Sequence, residues 1–237
     1  MNHLIMCYFQ EYILSVVNQQ SKKHELIEEL IKLEVEKVKE KLTKHPIWFI
    51  DIPRTSSFSI SVMMADSLGF PFGKKLEQRL ELSPILYNHT HAFAVKYLLG
   101  KNFWDTLTTF TIVRNPYTWA ASLWHKGVLD GHPDCKFLNF MQFLDVMEVN
   151  LSVNILERQN SLNNFTQTDY FMTENNSTDV LKFEDRQGIK QYLNKLGLEY
   201  TNLLHLNKSN NVNYQLSQLE KKKVEDIFAK DFELLGY

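Results

Sequence analysis

Hydrophobic spacing divides the chain into alternating helical and extended stretches. Residues 21 to 44 carry Ile27, Ile31, Val35, Val38 and Leu42 along one stripe, with Glu and Lys on the remaining faces, which predicts a charged amphipathic helix. His45-Pro46 ends it, because a proline disfavours helical backbone in the residue before it. Ile47-Trp48-Phe49-Ile50 is a short apolar run suited to a strand buried on both faces. The polar segment Asp51 to Ser59 follows, and Ile60 to Leu68 resumes helical spacing. The same succession recurs downstream: Leu107 to Val113 (LTTFTIV) as strand, Arg114-Asn115-Pro116 as turn, Tyr117 to Trp124 as helix. Residues 136 to 158 read as helix. The stretch 160 to 178 reads as an Asn/Thr-rich loop with a strand edge at Tyr170-Phe171. Val180 to Phe183 is a third strand, followed by helices over Arg186–Leu196 and Ser217–Leu234. Strands alternating with helices predict an α/β fold whose parallel sheet is covered by helices on both faces.

Composition fits this picture. Of 237 residues, 44% are hydrophobic and 23% charged, enough apolar material for a globular core. The net charge of -2 lacks the basic surplus of a protein that lives on nucleic-acid phosphates, so no nucleic-acid partner is expected. Cys7 and Cys135 match no zinc spacing and form no disulfide framework, so no metal is expected. The first twenty residues are apolar only in patches, broken by Asn2, His3, Gln10 and Glu11, so neither a transmembrane segment nor a signal peptide is predicted, and the cytoplasm is the default. That segment is read as an amphipathic helix packed on the domain, with an interfacial helix or a homodimer contact as the other options.

A buried strand that runs into a polar loop and then a helix builds an anion site, because the first helical N–H groups lack partners and the dipole favours negative charge. In Ile52-Pro53-Arg54-Thr55-Ser56-Ser57-Phe58-Ser59 that loop holds one fixed cation and four hydroxyls. It contains no glycine and no Walker A pattern. On composition alone it equally fits a Ser/Thr-capped helix start. Arg114 leaves the second strand towards the same edge, with Ser122 about two helical turns on, so an Arg fork and a hydroxyl could share a second phosphate. A surface arginine and a helix serine are the plainer alternative.

Taken together, these segments resemble the PAPS-dependent sulfotransferases. WFIDIPRTSSFSI looks like their 5′-phosphosulfate loop and FTIVRNPYTWAASLW like their 3′-phosphate motif. The closer likeness is to the carbohydrate branch that includes heparan sulfate 2-O-sulfotransferase, where an H-x-H segment resembles Asn88-His89-Thr90-His91 here. VLKFED (180–185), LNKS (206–209) and the C-terminal AKDFELLGY are similar to further family segments in the same order. The resemblance spans about residues 46 to 237, leaving 1 to 45 as an N-terminal helical extension.

The resemblance implies a P-loop-like three-layer domain that binds PAPS, releases PAP, and transfers a sulfuryl group to a hydroxyl of a sugar or glycan. Arg54, Thr55, Ser56, Ser57, Phe58 and Ser59 would hold the 5′-phosphate and sulfonate; Arg114 and Ser122 would hold the 3′-phosphate, with Lys208 and Ser209 on a nearby loop. His91 would deprotonate the acceptor, with His89 as the alternative base. In-line sulfuryl transfer builds charge on the leaving oxygen, and a cation such as Arg54 is worth roughly 3 kcal/mol there. Arg54 stands where the family usually has Lys, and serines stand where it has glycine, so positive-φ backbone should be harder to reach. That departure keeps two other readings open: a PAP/PAPS-binding module with weakened catalysis, or a related small-molecule kinase. Trp119 and Trp124 are read as helix packing before sugar stacking, Glu184 as an anchor for backbone N–H groups, and Lys221 to Lys223 as a solvated face.

Overall fold

The computed structural model describes residues 22–68, 89–129, 131, 136–153, 165–174, 177–198 and 214–237. Helix α1 (Lys22–Lys44) leads into strand β1 (Ile47–Ile50) and helix α2 (Ser57–Leu68). Helices α3 (Ala92–Leu99) and α4 (Lys101–Trp104) precede β2 (Thr108–Val113), which is followed by α5 (Pro116–Leu129), α6 (Phe140–Ser152) and α7 (Gln167–Phe171). Strand β3 (Asp179–Lys182) then leads into α8 (Arg186–Lys195), α9 (Gln218–Ile227) and α10 (Ala229–Leu235).

The strands form one parallel sheet in the order β1-β2-β3, with Ile50 beside Thr111 and Val113 beside Lys182. Because side chains alternate across a strand, the two faces feed separate clusters. Trp48, Ile50 and Val113 join Val35, Val38 and Leu42 of α1, Val95 and Leu99 of α3, Trp119 and Leu123 of α5, and Phe143 and Met147 of α6. Phe49, Phe110 and Ile112 join Ile60 and Met64 of α2 with Ile189 and Leu193 of α8. Helices therefore cover both faces, as the apolar run of β1 and the buried residues 109 to 113 of β2 require. The charged face of α1 carries exposed i,i+3 and i,i+4 pairs such as Lys37–Glu34 and Lys44–Glu40, each worth at most about 0.5 kcal/mol. The apolar stripe Ile31, Val35, Val38, Leu42 holds the helix in place.

Three expectations change. Tyr170 and Phe171 lie in helix α7, not a strand edge. Thr166 caps that helix from Asp169 N, and the Asp169 side chain returns to Thr166 N at 2.9 Å, a capping box that overrides the β propensity of Tyr-Phe. The helix expected over 217–234 is two helices broken at Phe228, whose buried ring meets Trp119 edge-on at 5.6 Å. The helix expected over 136–158 is described from Phe140 to Ser152. Residues 1–20, with Cys7, and also Cys135, Lys208 and Ser209, lie outside the described residues. No described helix is long and apolar enough to cross a membrane.

Candidate active site

Parallel pairing brings the carboxyl ends of β1, β2 and β3 to one rim, and three arginines follow those ends: Arg54, Arg114 and Arg186. The rim is built by pinning the loop after β1. Thr55, fully buried, donates its hydroxyl to the Ile52 carbonyl at 2.9 Å. Trp119 donates its indole N–H to the Pro53 carbonyl at 2.7 Å, and Arg114 Nη1 donates to the Arg54 carbonyl at 3.4 Å. Three successive carbonyls are thus bound from the protein side.

The backbone between them is left-handed at Arg54 (φ 65°) and Ser56 (φ 74°), with Thr55 between them outside that region. Such alternation turns neighbouring N–H groups to one side and forms a nest, the concavity that receives anions in phosphate loops. The loop reaches this shape without glycine, at a cost of about 1–2 kcal/mol per left-handed residue. Positive φ, expected to be harder to reach without glycine, is adopted at Arg54 and Ser56. The hydrogen bonds at 52, 53 and 54 hold the conformation that glycine would otherwise allow. Ser56→Gly should stabilise the protein by about 0.5–1 kcal/mol, the left-handed cost less the added unfolded-chain entropy, read as a higher urea midpoint.

Ser122 is buried on α5 and accepts from Arg54 Nε at 3.1 Å, so the hydroxyl expected beside Arg114 touches the arginine of the other loop. Ser59 is buried in the first turn of α2, whose opening bond runs from Ile60 N to the Ser56 carbonyl at 3.1 Å. Ser57 and Phe58 occupy the backbone of that same turn.

Arg114 is fixed at its backbone before its side chain matters. Gln167 accepts from Arg114 N at 2.7 Å and donates Nε2 to the Arg114 carbonyl at 2.7 Å, a two-point amide clamp. Arg114 Nε donates to Thr118 Oγ1 at 2.9 Å, and the guanidinium lies 4.9 Å from the centre of the Phe183 ring. Burial lowers its pKa, Arg54 and Arg186 nearby lower it further, and Glu184 opposes them. The group stays charged at any working pH. Glu184 accepts from Asn115 N at 2.9 Å and from the Tyr237 hydroxyl at 2.8 Å, which makes it an anchor of the turn.

The two histidines are in different settings. His89 has a left-handed backbone (φ 56°), and its side chain is 29% exposed. Its Nδ1 lies 3.2 Å from the Asp51 carbonyl oxygen and 3.2 Å from Asp51 Oδ1, just past the end of β1. The Asp51 carbonyl can only accept, so Nδ1 carries the proton in that bond. His91 is 3% exposed. Its ring stacks on Tyr170 at 4.5 Å and 4°, with Phe165 at 4.3 Å.

Trp119 is fully buried, and Trp124 donates to the Leu138 carbonyl at 2.9 Å, so both indoles serve packing. Lys222 pairs with Asp226 on its own helix, while Lys223 reaches Asp145 and Glu148 and ties α9 to α6. Among the described residues no cluster of three or more His, Cys, Asp or Glu is arranged to hold a metal ion.

The sequence reading missed Asp51, Thr118, Gln167 and Arg186. Asp51 had a signal, since it directly follows a buried strand and so lies on the rim. Gln167 had none, because its role depends on a contact 53 residues away in sequence. No family model, curated protein or solved structure matches this chain.

Proposed function

We propose that the rim is a nucleotide site of P-loop-like build and that the protein transfers a sulfuryl group from PAPS to a hydroxyl of a sugar or glycan. The observation that carries this reading is the union of the two anion elements. The Arg54 loop and the Arg114 turn follow adjacent parallel strands, and Arg54 Nε touches Ser122 Oγ at 3.1 Å. A ligand with phosphates at both ends of a nucleoside suits such a pair of sites. The nest at 54–56 takes the 5′-phosphosulfate, with Arg54 against the leaving oxygen. Arg114 and Ser122 take the extra phosphate.

The base is His89 rather than His91. His89 is partly exposed, its Nδ1 is held by Asp51, and its Nε2 is the nitrogen that removes the acceptor proton as the O–S bond forms. His91 is buried and stacked against Tyr170 and Phe165. The sulfuryl group moves in line from the bridging phosphate oxygen to the acceptor oxygen, and PAP leaves with the electron pair of the broken bond.

Calorimetry with PAP and transfer from labelled PAPS to a panel of glycans test this. Micromolar PAP binding with product on at least one acceptor supports it, and a folded protein that binds no PAP removes it. Tight PAP without any product would favour the binding-module reading, and ATP displacing PAP would favour the kinase. Arg114→Ala should weaken PAP at least tenfold and 5′-AMP by less, because the charge-assisted bond to the extra phosphate is lost for PAP alone, whereas the lost bond to the Arg54 carbonyl loosens the nest for both.

A further inference from the structure

Asp51 directly follows the buried strand β1, and its backbone carbonyl is the acceptor for His89 Nδ1 at 3.2 Å. The carboxylate of the same residue has no such task. Its side chain is only 11% exposed, and Oδ1 lies 3.2 Å from that same Nδ1. Oδ1 is buried and accepts no hydrogen bond among the described residues. The Nδ1 proton goes to the carbonyl, so the carboxylate oxygen sits beside the ring without a share in its hydrogen bond.

Packing does not account for this carboxylate. Burying a charged oxygen without a hydrogen bond costs stability, and the carbonyl already orients the ring. The placement becomes favourable once the imidazole is positively charged, because an opposite charge this close favours the charged form. The proposed transfer creates that state. As the acceptor oxygen bonds to sulfur, the acceptor hydroxyl gives its proton to His89 Nε2. The bond from sulfur to the bridging phosphate oxygen breaks, and PAP leaves with its electron pair. His89 then carries protons on both nitrogens. An interaction that is stronger in the transition state than before it lowers the barrier.

We propose that the Asp51 carboxylate is the charge partner of this imidazolium, a positioning residue that acts through His89 and touches neither nucleotide nor acceptor. The backbone carbonyl orients the ring and the side chain stabilises its charge. This rests on the transfer reading above and deepens it. Asp51→Asn keeps the shape and the carbonyl and removes the charge. The full chain is assayed with labelled PAPS and the glycan of the panel that yields most product. In Asp51→Asn, kcat should fall about tenfold or more, while KM for PAPS and calorimetric PAP affinity stay within about twofold. The thermal midpoint should not fall, whereas a merely structural role would lower it and spare kcat. Asp51→Glu, which keeps the charge on a longer stem, should retain more of the rate than Asp51→Asn. In a His89→Ala background, Asp51→Asn should change the residual rate by less than about twofold, because the group it serves is gone. Should the asparagine variant not fold, Asp51→Ser with and without His89 carries the same test. If removing the charge leaves kcat intact, or costs as much without His89 as with it, the inference fails and the transfer reading stands. If wild type yields no product with any acceptor, the transfer reading fails and takes the inference with it.

Discussion

His89→Ala should lower the rate of sulfuryl transfer by at least about a hundredfold, the low end of what a positioned general base contributes, while PAP affinity stays within about twofold. The split follows from geometry. The ring of His89 is held at Nδ1 by Asp51, and on the proposed reading its Nε2 would serve the acceptor while the arginines serve the nucleotide phosphates. Removing the ring therefore removes a proton acceptor and leaves Arg54, Arg114 and the nest in place. Added imidazole should restore part of the lost rate in His89→Ala. His91→Ala should act in the opposite sense. The lost ring leaves a cavity between Tyr170 and Phe165, with an expected cost of about 3 kcal/mol in urea unfolding. Transfer per folded molecule should change far less. Were His91→Ala to stop transfer in a folded protein, and His89→Ala to leave it intact, the base would be His91.

The contrast between the two histidines marks where sequence reading stops. Both belong to one H-x-H segment, and nothing local distinguishes them. The distinction comes from what the fold brings against each: the end of β1 against His89, and α7 against His91. The placement of α7 in turn depends on Asp231, 64 residues beyond Gln167. By contrast, β1 and β2 were legible because every residue of Ile47–Ile50 and Thr108–Val113 is β-branched or aromatic, the composition of strands that pack on both faces. Their parallel pairing followed from the intervening helices, and with it the placement of Arg54 and Arg114 on one rim.

The nest had the opposite fate. Its arginine and hydroxyls were visible, but its left-handed backbone was hidden, because propensity assigns positive φ to glycine and this loop has none. Local preference lost to hydrogen bonds on three consecutive carbonyls, one from Thr55 within the loop and two long-range ones from Trp119 and Arg114. Functional loops are where such disagreement between local and global preference is expected.

Asp231→Ala should destabilise the protein by about 3 kcal/mol, because it strips two buried backbone N–H groups of their acceptor. Asp231 is fully buried at the start of α10, where Oδ2 accepts from Gln167 N and Oδ1 from Thr168 N, both at 3.0 Å. Helix α7 has only five residues and no stability of its own, so these bonds hold it. With α7 loosened, the Gln167 clamp on Arg114 loosens as well, and PAP affinity should fall together with stability even though Asp231 touches no ligand. The pH dependence carries a defined sign. Burial raises the Asp231 pKa above the usual carboxylate range, against the lowering effect of the two N–H donors. The folded state therefore keeps its proton to higher pH than the unfolded state does. The resulting stability is complete below the unfolded pKa of about 4 and is lost as pH rises through the folded value. Asp231→Asn cannot titrate, so the stability advantage of wild type over this variant should be largest at acid pH and shrink towards neutrality. Urea midpoints for the pair, taken at unit intervals from pH 4 to 8, measure it; a difference that is flat or grows with pH would mean that the two N–H donors outweigh burial and that Asp231 is ionised in the folded protein throughout.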